Sequence, residues 1–225
     1  LDAWTAGLNG TPSLSDIEIY NNIVEDAGSI VIGSERGGTA ENIKIYNNLV
    51  VNCPDTGIGI SNTGIANAPN GNGLRRNIEI YNNTIYQMRW NGGAGIFIKS
   101  ANIINIVIRN NITYINKSNG QIIVAVPSAL SQIKADHNLV FGSKSCPLNF
   151  LDCVEVSNVT NSTIFGNITA DPKFADVVSR NFRLALGSPG IDSGLDLVAS
   201  GVLADFDGIA RPQGGSFDLG VYEYR

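Results

Sequence analysis

The chain has no apolar run that approaches membrane-spanning length, so no part of it is expected to cross a bilayer as a helix. It has no basic excess either: 15 Lys and Arg stand against 20 Asp and Glu, a formal net charge of −5. That balance excludes the electrostatic footprint of a nucleic-acid binder and weighs mildly against tight, extended binding of polyanionic sugars. Helical periodicity is absent between its turns. Cysteines are few. Cys146 and Cys153, separated by a six-residue loop containing Pro147, can close a small disulfide and leave Cys53 over in a buried position; three reduced thiols are the alternative. There is a single histidine, His137. The beginning lacks an initiator Met, a signal peptide and an amphipathic helix able to cap a repeat array. Residues 1–14, which include Trp4, are therefore expected to form an incomplete cap, or else the chain is a mature or truncated one that has lost an N-terminal segment or partner chain.

What is present is a recurring phrase in a chain of 225 residues with 43% hydrophobic content, ample for one solenoid domain. Ile-Glu-Ile-Tyr-Asn-Asn at 17–22 returns as Ile-Lys-Ile-Tyr-Asn-Asn at 43–48, Ile-Glu-Ile-Tyr-Asn-Asn at 78–83 and Ile-Val-Ile-Arg-Asn-Asn at 106–111, with a worn copy, Ile-Lys-Ala-Asp-His-Asn, at 133–138. A phrase repeated every few tens of residues means one supersecondary unit stacked on itself. The Ile-x-Ile alternation turns two aliphatic side chains to one face of a short strand and Glu, Lys, Tyr or Arg to the other. A second alternation follows in each unit, as in Ser29-Ile-Val-Ile-Gly33 and Gly57-Ile-Gly-Ile-Ser61. Two or three strands per unit, joined by Gly, Asn, Ser and Asp turns, close only by winding about an axis. The fold class read from this is all-β, a single-stranded parallel β-helix.

Asparagine tolerates the left-handed backbone of a sharp corner, and its amide can bond to its equivalents on adjacent coils. Asn22, Asn48, Asn83, Asn111 and Asn138 are predicted to form an internal ladder, with His137 at a ladder position as a packed member of it rather than a base. Glu18, Lys44 and Glu79 alternate in sign down one outward column, and Tyr20, Tyr46, Tyr81, Arg109 and Asp136 form another.

The stacked strands and the asparagine ladder, over roughly residues 15–170, resemble the right-handed parallel β-helix, or pectin lyase-like, superfamily. Residues 171–225 carry Asp171-Pro-Lys-Phe174, a run from Phe182 to Gly194, Asp205-Phe-Asp-Gly208, Arg211-Pro212 and Asp218-Leu-Gly-Val-Tyr-Glu-Tyr224. That string is similar to the closing segment of many secreted β-helix proteins of carbohydrate metabolism. The resemblance implies a secreted, extracellular protein. It also assigns Asp205, Asp207, Arg211 and Asp218 to bonds with one another and with backbone, since no downstream Glu completes a twelve-residue calcium loop. Of seven Asn-X-Ser/Thr sequons, Asn158, Asn161 and Asn167 fall in an expected loop and are the candidate glycosylation sites.

Chemistry on such a fold needs side chains from neighbouring coils on one outer face. The candidate catalytic residues are Glu35, Arg36, Asp26, Asp55 and Lys99, with Asp26 and Asp55 read as neighbours on consecutive coils. Two carboxyls about 5–5.5 Å apart suit a retaining glycosidase. Glu35, Asp26 and Asp55, with Glu25, could instead hold calcium. The resemblance implies that calcium next to a Lys or Arg base would support elimination on a uronate; no family motif for that base is recognisable in the chain, and Lys99, Arg36 and Arg89 are the residues that could serve. Asp26 and Asp55 also read as plain turn residues. Tyr20, Tyr46, Tyr81, Arg89, Trp90 and Phe97 are the candidate sugar contacts, the tyrosines being equally able to stack on each other. The functional expectation is an extracellular protein that cleaves a glycosidic bond in a cell-wall or matrix polysaccharide, elimination slightly ahead of hydrolysis. The alternative is a non-catalytic carbohydrate-binding or surface module, or the C-terminal fragment of a larger enzyme.

Overall fold

An Ile-x-Ile pair followed by two asparagines buries its aliphatic side chains only if the chain turns at once and winds beneath itself. A computed structural model, which describes residues 13–33, 38–54, 56–61, 73–87, 94–99, 102–114, 121–142 and 154–225, has that form. The described residues are almost wholly β, with one 3-10 turn at Val198–Ser200, and build a parallel β-solenoid of three faces. The long face stacks β1 (Ser13–Tyr20), β4 (Thr39–Tyr46), β7 (Arg75–Tyr81), β10 (Ile103–Arg109) and the C-terminal part of β12 (Ile122–Asp136). The short face stacks β3 (Ile30–Ile32), β6 (Ile58–Ser61), β9 (Ile96–Lys99) and the N-terminal part of β12, which thus spans two faces; β14 (Val154–Phe165) lies on β12. The third face holds β2 (Ile23–Glu25), β5 (Leu49–Val51), β8 (Thr84–Tyr86), β11 (Ile112–Tyr114), β13 (Leu139–Phe141) and β15 (Ile168–Thr169).

The repeated phrase sets the register. Ile17, Ile43, Ile78, Ile106 and Ile133 form one inward column, and Ile19, Ile45, Ile80, Ile108 and Ala135 the next. These join Ile32, Ile58, Ile60, Ile96, Ile98 and Ile122 of the short face in one core whose members are nearly all fully buried. Each such side chain contributes about 1.5–3 kcal/mol by leaving water. Cys53 is also fully buried, its thiol 3.4 Å from the Gly28 carbonyl. Cys146 and Cys153 lie outside the described residues.

The two asparagines of each pair divide the corner between them. The first adopts the left-handed conformation: φ is 54° at Asn21, 53° at Asn47, 47° at Asn82 and 57° at Asn110, and His137 follows at 50°. The second builds the predicted ladder, Nδ2 of each donating to Oδ1 of the next at 2.9–3.0 Å from Asn22 through Asn48, Asn83, Asn111 and Asn138. It runs one rung further, to Asn167 at 2.9 Å. Asn167 Nδ2, the atom a glycan would take, donates to the Ala135 carbonyl at 2.8 Å. Asn158 and Asn161 fall in β14 rather than a loop, and their side chains lie outside the described set. His137 is not a rung of the ladder, which passes through Asn138; it takes the left-handed position before it and packs edge-on against Phe165, ring centroids 5.4 Å apart.

Residues 171–225 run along the outside of the solenoid. After a hairpin, β16 (Phe174–Asp176) with β17 (Asn181–Leu184), this segment covers the third face. Phe182, Val221 and Tyr222 pack on Leu49, Val51 and Tyr86, and Leu184 and Leu219 on Ile112 and Leu139. The left-handed asparagines tether it: Asn47 Nδ2 donates to Ala204 O (2.7 Å), Asn82 Nδ2 to Asp218 O (2.9 Å), and Asn110 exchanges two bonds with Leu195 (2.8 and 2.9 Å). Gly220, at φ 82°, passes so close that a Cβ would lie 2.6 Å from Thr84 Oγ1. The closing motif is a buried polar knot. Arg211 pairs with Glu223 at 2.5 Å, and backbone N–H groups of residues 207, 209 and 223 donate to Asp205. Asp218 accepts from Asp192 and Tyr224, while Asp207 meets Arg183 and Arg225. Burial pushes the Arg211 pKa down against the pull of Glu223, and burial pushes that of Asp218 up.

Asn111→Ala removes the amide bonds to the Ile80 and Arg109 carbonyls and leaves the buried Asn83 Nδ2 without its ladder acceptor, so urea unfolding should show a loss of about 3 kcal/mol or more, whereas Asn22→Ala at the exposed first rung should lose under about 1. Equal losses would mean that the ladder does not hold the coils. Asn110→Gly keeps the left-handed corner and removes the tether, so limited proteolysis should release the segment around Leu195 earlier than in Asn21→Gly, whose corner lies at the exposed first coil. Identical digestion patterns would show that the segment is held by its apolar contacts alone.

Candidate functional site

With the third face covered, the outer side of the long face is a broad polar surface left to solvent among the described residues. Register stacks its outward residues in three columns. The first is Asp16, Asn42, Asn77 and Asn105, each in the left-handed region at φ 52–57° and each exposed. Their amides form a second, outer ladder: Nδ2 of Asn42 donates to Asp16 Oδ1 at 3.1 Å, Asn77 to Asn42 at 3.0 Å, and Asn105 to Asn77 at 3.0 Å. The second column is Glu18, Lys44, Glu79, Val107 and Lys134; the third is Tyr20, Tyr46, Tyr81, Arg109 and Asp136. Asp16, Glu18, Asn42, Lys44, Asn77 and Glu79 line a shallow groove of about 320 Å³. A second concavity of about 460 Å³, among Asn105, Val107, Gln132, Lys134 and Thr163, continues it along the same face.

The closing segment makes one wall of this groove. Lys44 Nζ donates to Ser200 O at 2.7 Å and lies 3.8 Å from Glu18. Leu197, Val202 and Phe217 pack over Tyr81 and against Tyr46 and Val107. The tyrosine column therefore splits. Tyr20 and Tyr46 stack at 4.9 Å with planes 5° apart, Tyr20 being 48% exposed, and Tyr46 Oη donates to Glu18 at 3.2 Å. Tyr81 is 3% exposed, so its ring faces meet protein instead of a ligand. Burial, and then the Glu18 carboxylate, push the Tyr46 hydroxyl up to about 12. At Tyr81 burial and Glu79 push the same way, against Arg109. Arg109 is locked on the buried Asp136 by paired hydrogen bonds, which raise its own pKa.

The other sequence-predicted residues lie elsewhere. Asp26 is a corner residue at φ 50° on the third-face side; Asn52 donates to it, and Arg180 of the closing segment lies 3.8 Å away and pairs with Glu25. The pairing of β2 with β5 sets Asp26 over Asn52; Asp55, the other member of the expected carboxylate pair, lies outside the described residues. An amide donor and a guanidinium are partners for a solvated carboxylate, not for a calcium ligand. Among the described residues no three His, Cys, Asp or Glu side chains converge on one point, so the described members do not assemble a calcium site. Glu35, Arg36, Asp55, Arg89 and Trp90 lie outside the described residues. Lys99 ends β9 opposite Ser61, with its side chain outside the description. Phe97 stands in the outward column Val31, Gly59, Phe97 of the short face, away from the groove. The outer amide ladder was missed, although its signal is in the sequence: an Asp or Asn precedes the first Ile in four copies of the phrase.

No protein-family model, curated protein or solved structure matches the chain.

Because the Tyr46 pKa is raised in the fold, the unfolded chain loses that proton first. Its contribution to stability is complete below pH 10 and declines from there to about 12. Ultraviolet titration of tyrosinate should show Glu18→Gln ionising at lower pH than the parent. An unchanged curve would remove Glu18 from the environment of Tyr46.

Proposed function

We propose that the protein is an extracellular carbohydrate-active β-helix of the pectin lyase-like type, with an extended glycan lying along the groove of the long face. One observation carries this reading: a polar groove, built by an exposed amide ladder and a charged column, runs beside the stack of Tyr20 on Tyr46, whose outer ring, Tyr20, is exposed. Amides and carboxylates pair with hydroxyls, and an aromatic face covers the apolar side of a sugar ring. Few other extended ligands offer both along several coils. The outward tyrosine hydroxyl is already oriented by Glu18, which presents the ring edge without a free rotor.

Cleavage of the bound chain is a separate part of the proposal and rests on Glu35, Arg36, Asp55 and Lys99, sequence neighbours of the short-face strands. Ultraviolet-absorbing unsaturated ends would report elimination, new reducing ends without that absorbance hydrolysis, and neither product a binding module.

Affinity electrophoresis against a panel of soluble polysaccharides tests the groove. Retardation by at least one of them is expected, weakened about tenfold in Tyr20→Ala with the far-ultraviolet circular dichroism unchanged. Retardation that survives both Tyr20→Ala and Tyr46→Ala would place carbohydrate binding elsewhere, and none across the panel would end the carbohydrate reading.

A further inference from the structure

We infer that the groove selects an uncharged, extended β-linked hexose chain running along the solenoid axis, one sugar per coil, and rejects polyuronates. The inference rests on the carbohydrate reading above and names its substrate class.

The outer ladder supplies the repeat. An asparagine amide has two N–H donors and a carbonyl with two lone pairs. Asn42 and Asn77 each spend one donor and one acceptor on their neighbours, which leaves one N–H and one lone pair per coil on an exposed residue. Successive coils are one strand spacing apart, about 4.8 Å. The wall therefore presents an alternating donor and acceptor with a short constant period. A hydroxyl-bearing edge returns once per residue in an extended β-linked hexose chain, the vicinal pair alternating with the hydroxymethyl group, and every one of these hydroxyls can both donate and accept, which matches that pattern. All ladder bonds point toward the N-terminal coil, so the pattern has a direction, as does a polysaccharide.

Charge decides against a uronate. Three carboxylates, Asp16, Glu18 and Glu79, line the groove with a single ammonium, Lys44. That ammonium is already held by Glu18 and by the Ser200 carbonyl of the closing segment. Lys134 in the second concavity adds one exposed cation, so the two concavities together hold three carboxylates against two ammoniums; a carboxylated sugar would enter a net-negative trough, while a neutral hydroxyl meets acceptors suited to it.

Isothermal titration of the whole protein with cellohexaose, its shorter homologues and hexagalacturonate tests this. Cellohexaose should bind, with affinity rising with chain length, and at least about tenfold more tightly than hexagalacturonate. The deficit of the acidic chain should shrink with added salt. Asn77→Gly, which keeps the left-handed backbone and removes the amide, should weaken cellohexaose about tenfold; Asn77→Asp should restore the acceptor only and recover part of it. Tighter binding of hexagalacturonate that depends on Tyr20 would overturn the neutral-chain inference and leave the carbohydrate reading standing. Binding of neither probe, with other polysaccharides retarded through Tyr20, would overturn the extended hexose class alone; absence of all carbohydrate binding would remove both.

Discussion

A buried amide that bonds to the identical amide one coil away holds this molecule in register. Each ladder asparagine joins the coil on either side and also satisfies carbonyls of its own turn and the preceding one, such as Tyr46 O and Ile19 O for Asn48. A corner inside a solenoid leaves backbone groups with no strand partner, and in a dry interior such groups are costly unless paired. Asparagine meets both demands in a short side chain. Once the corners align, the isoleucine columns must also align, because a one-residue slip would turn every inward side chain outward.

The second consequence is lateral. The third face has three-residue strands with only a central residue turned inward, as at Val50 and Ile85, while their flanking residues, Leu49, Val51 and Tyr86, are apolar and point out. Such a face needs a cover, and residues 171–225 supply it. They are bound by the left-handed asparagines, whose backbone directs the amide outward. Their fold is fixed by the Arg211, Glu223, Asp218 and Asp205 knot, where burial disfavours the charges and dense hydrogen bonding retains them. The same cover that completes the core also buries Tyr81 and walls the groove, so stability and the shape of the candidate site share one segment.

Much of the fold was legible in the sequence, since in a solenoid nearest neighbours are equivalent positions of consecutive repeats and alignment of the phrases yields the contacts. The inner ladder, the charge column and the aromatic column were all read in this way. The corner outside the phrase was not: the second coil holds two more residues between its third-face and short-face strands than the first, and Asn52 is what meets Asp26. Repeat spacing varies in the turns, so a column can be projected through a strand and not through a loop of unequal length. The outer ladder escaped notice because an Asn before a strand reads locally as a turn residue.

What the amino-acid sequence determined unaided was periodic: parallel coils, the inward isoleucines, the asparagine corners and the outward order of Glu, Lys and Tyr. Each of these follows from local alternation and a repeat length, which the chain carries within a few residues. What only the tertiary structure decided was occlusion and partnership: that the closing segment lies on Tyr81 and leaves Tyr20 bare, that Lys44 is held by Ser200, and that Asp26 meets Arg180. Those contacts join residues more than a hundred positions apart with no repeat relation between them, so no periodicity could have announced them.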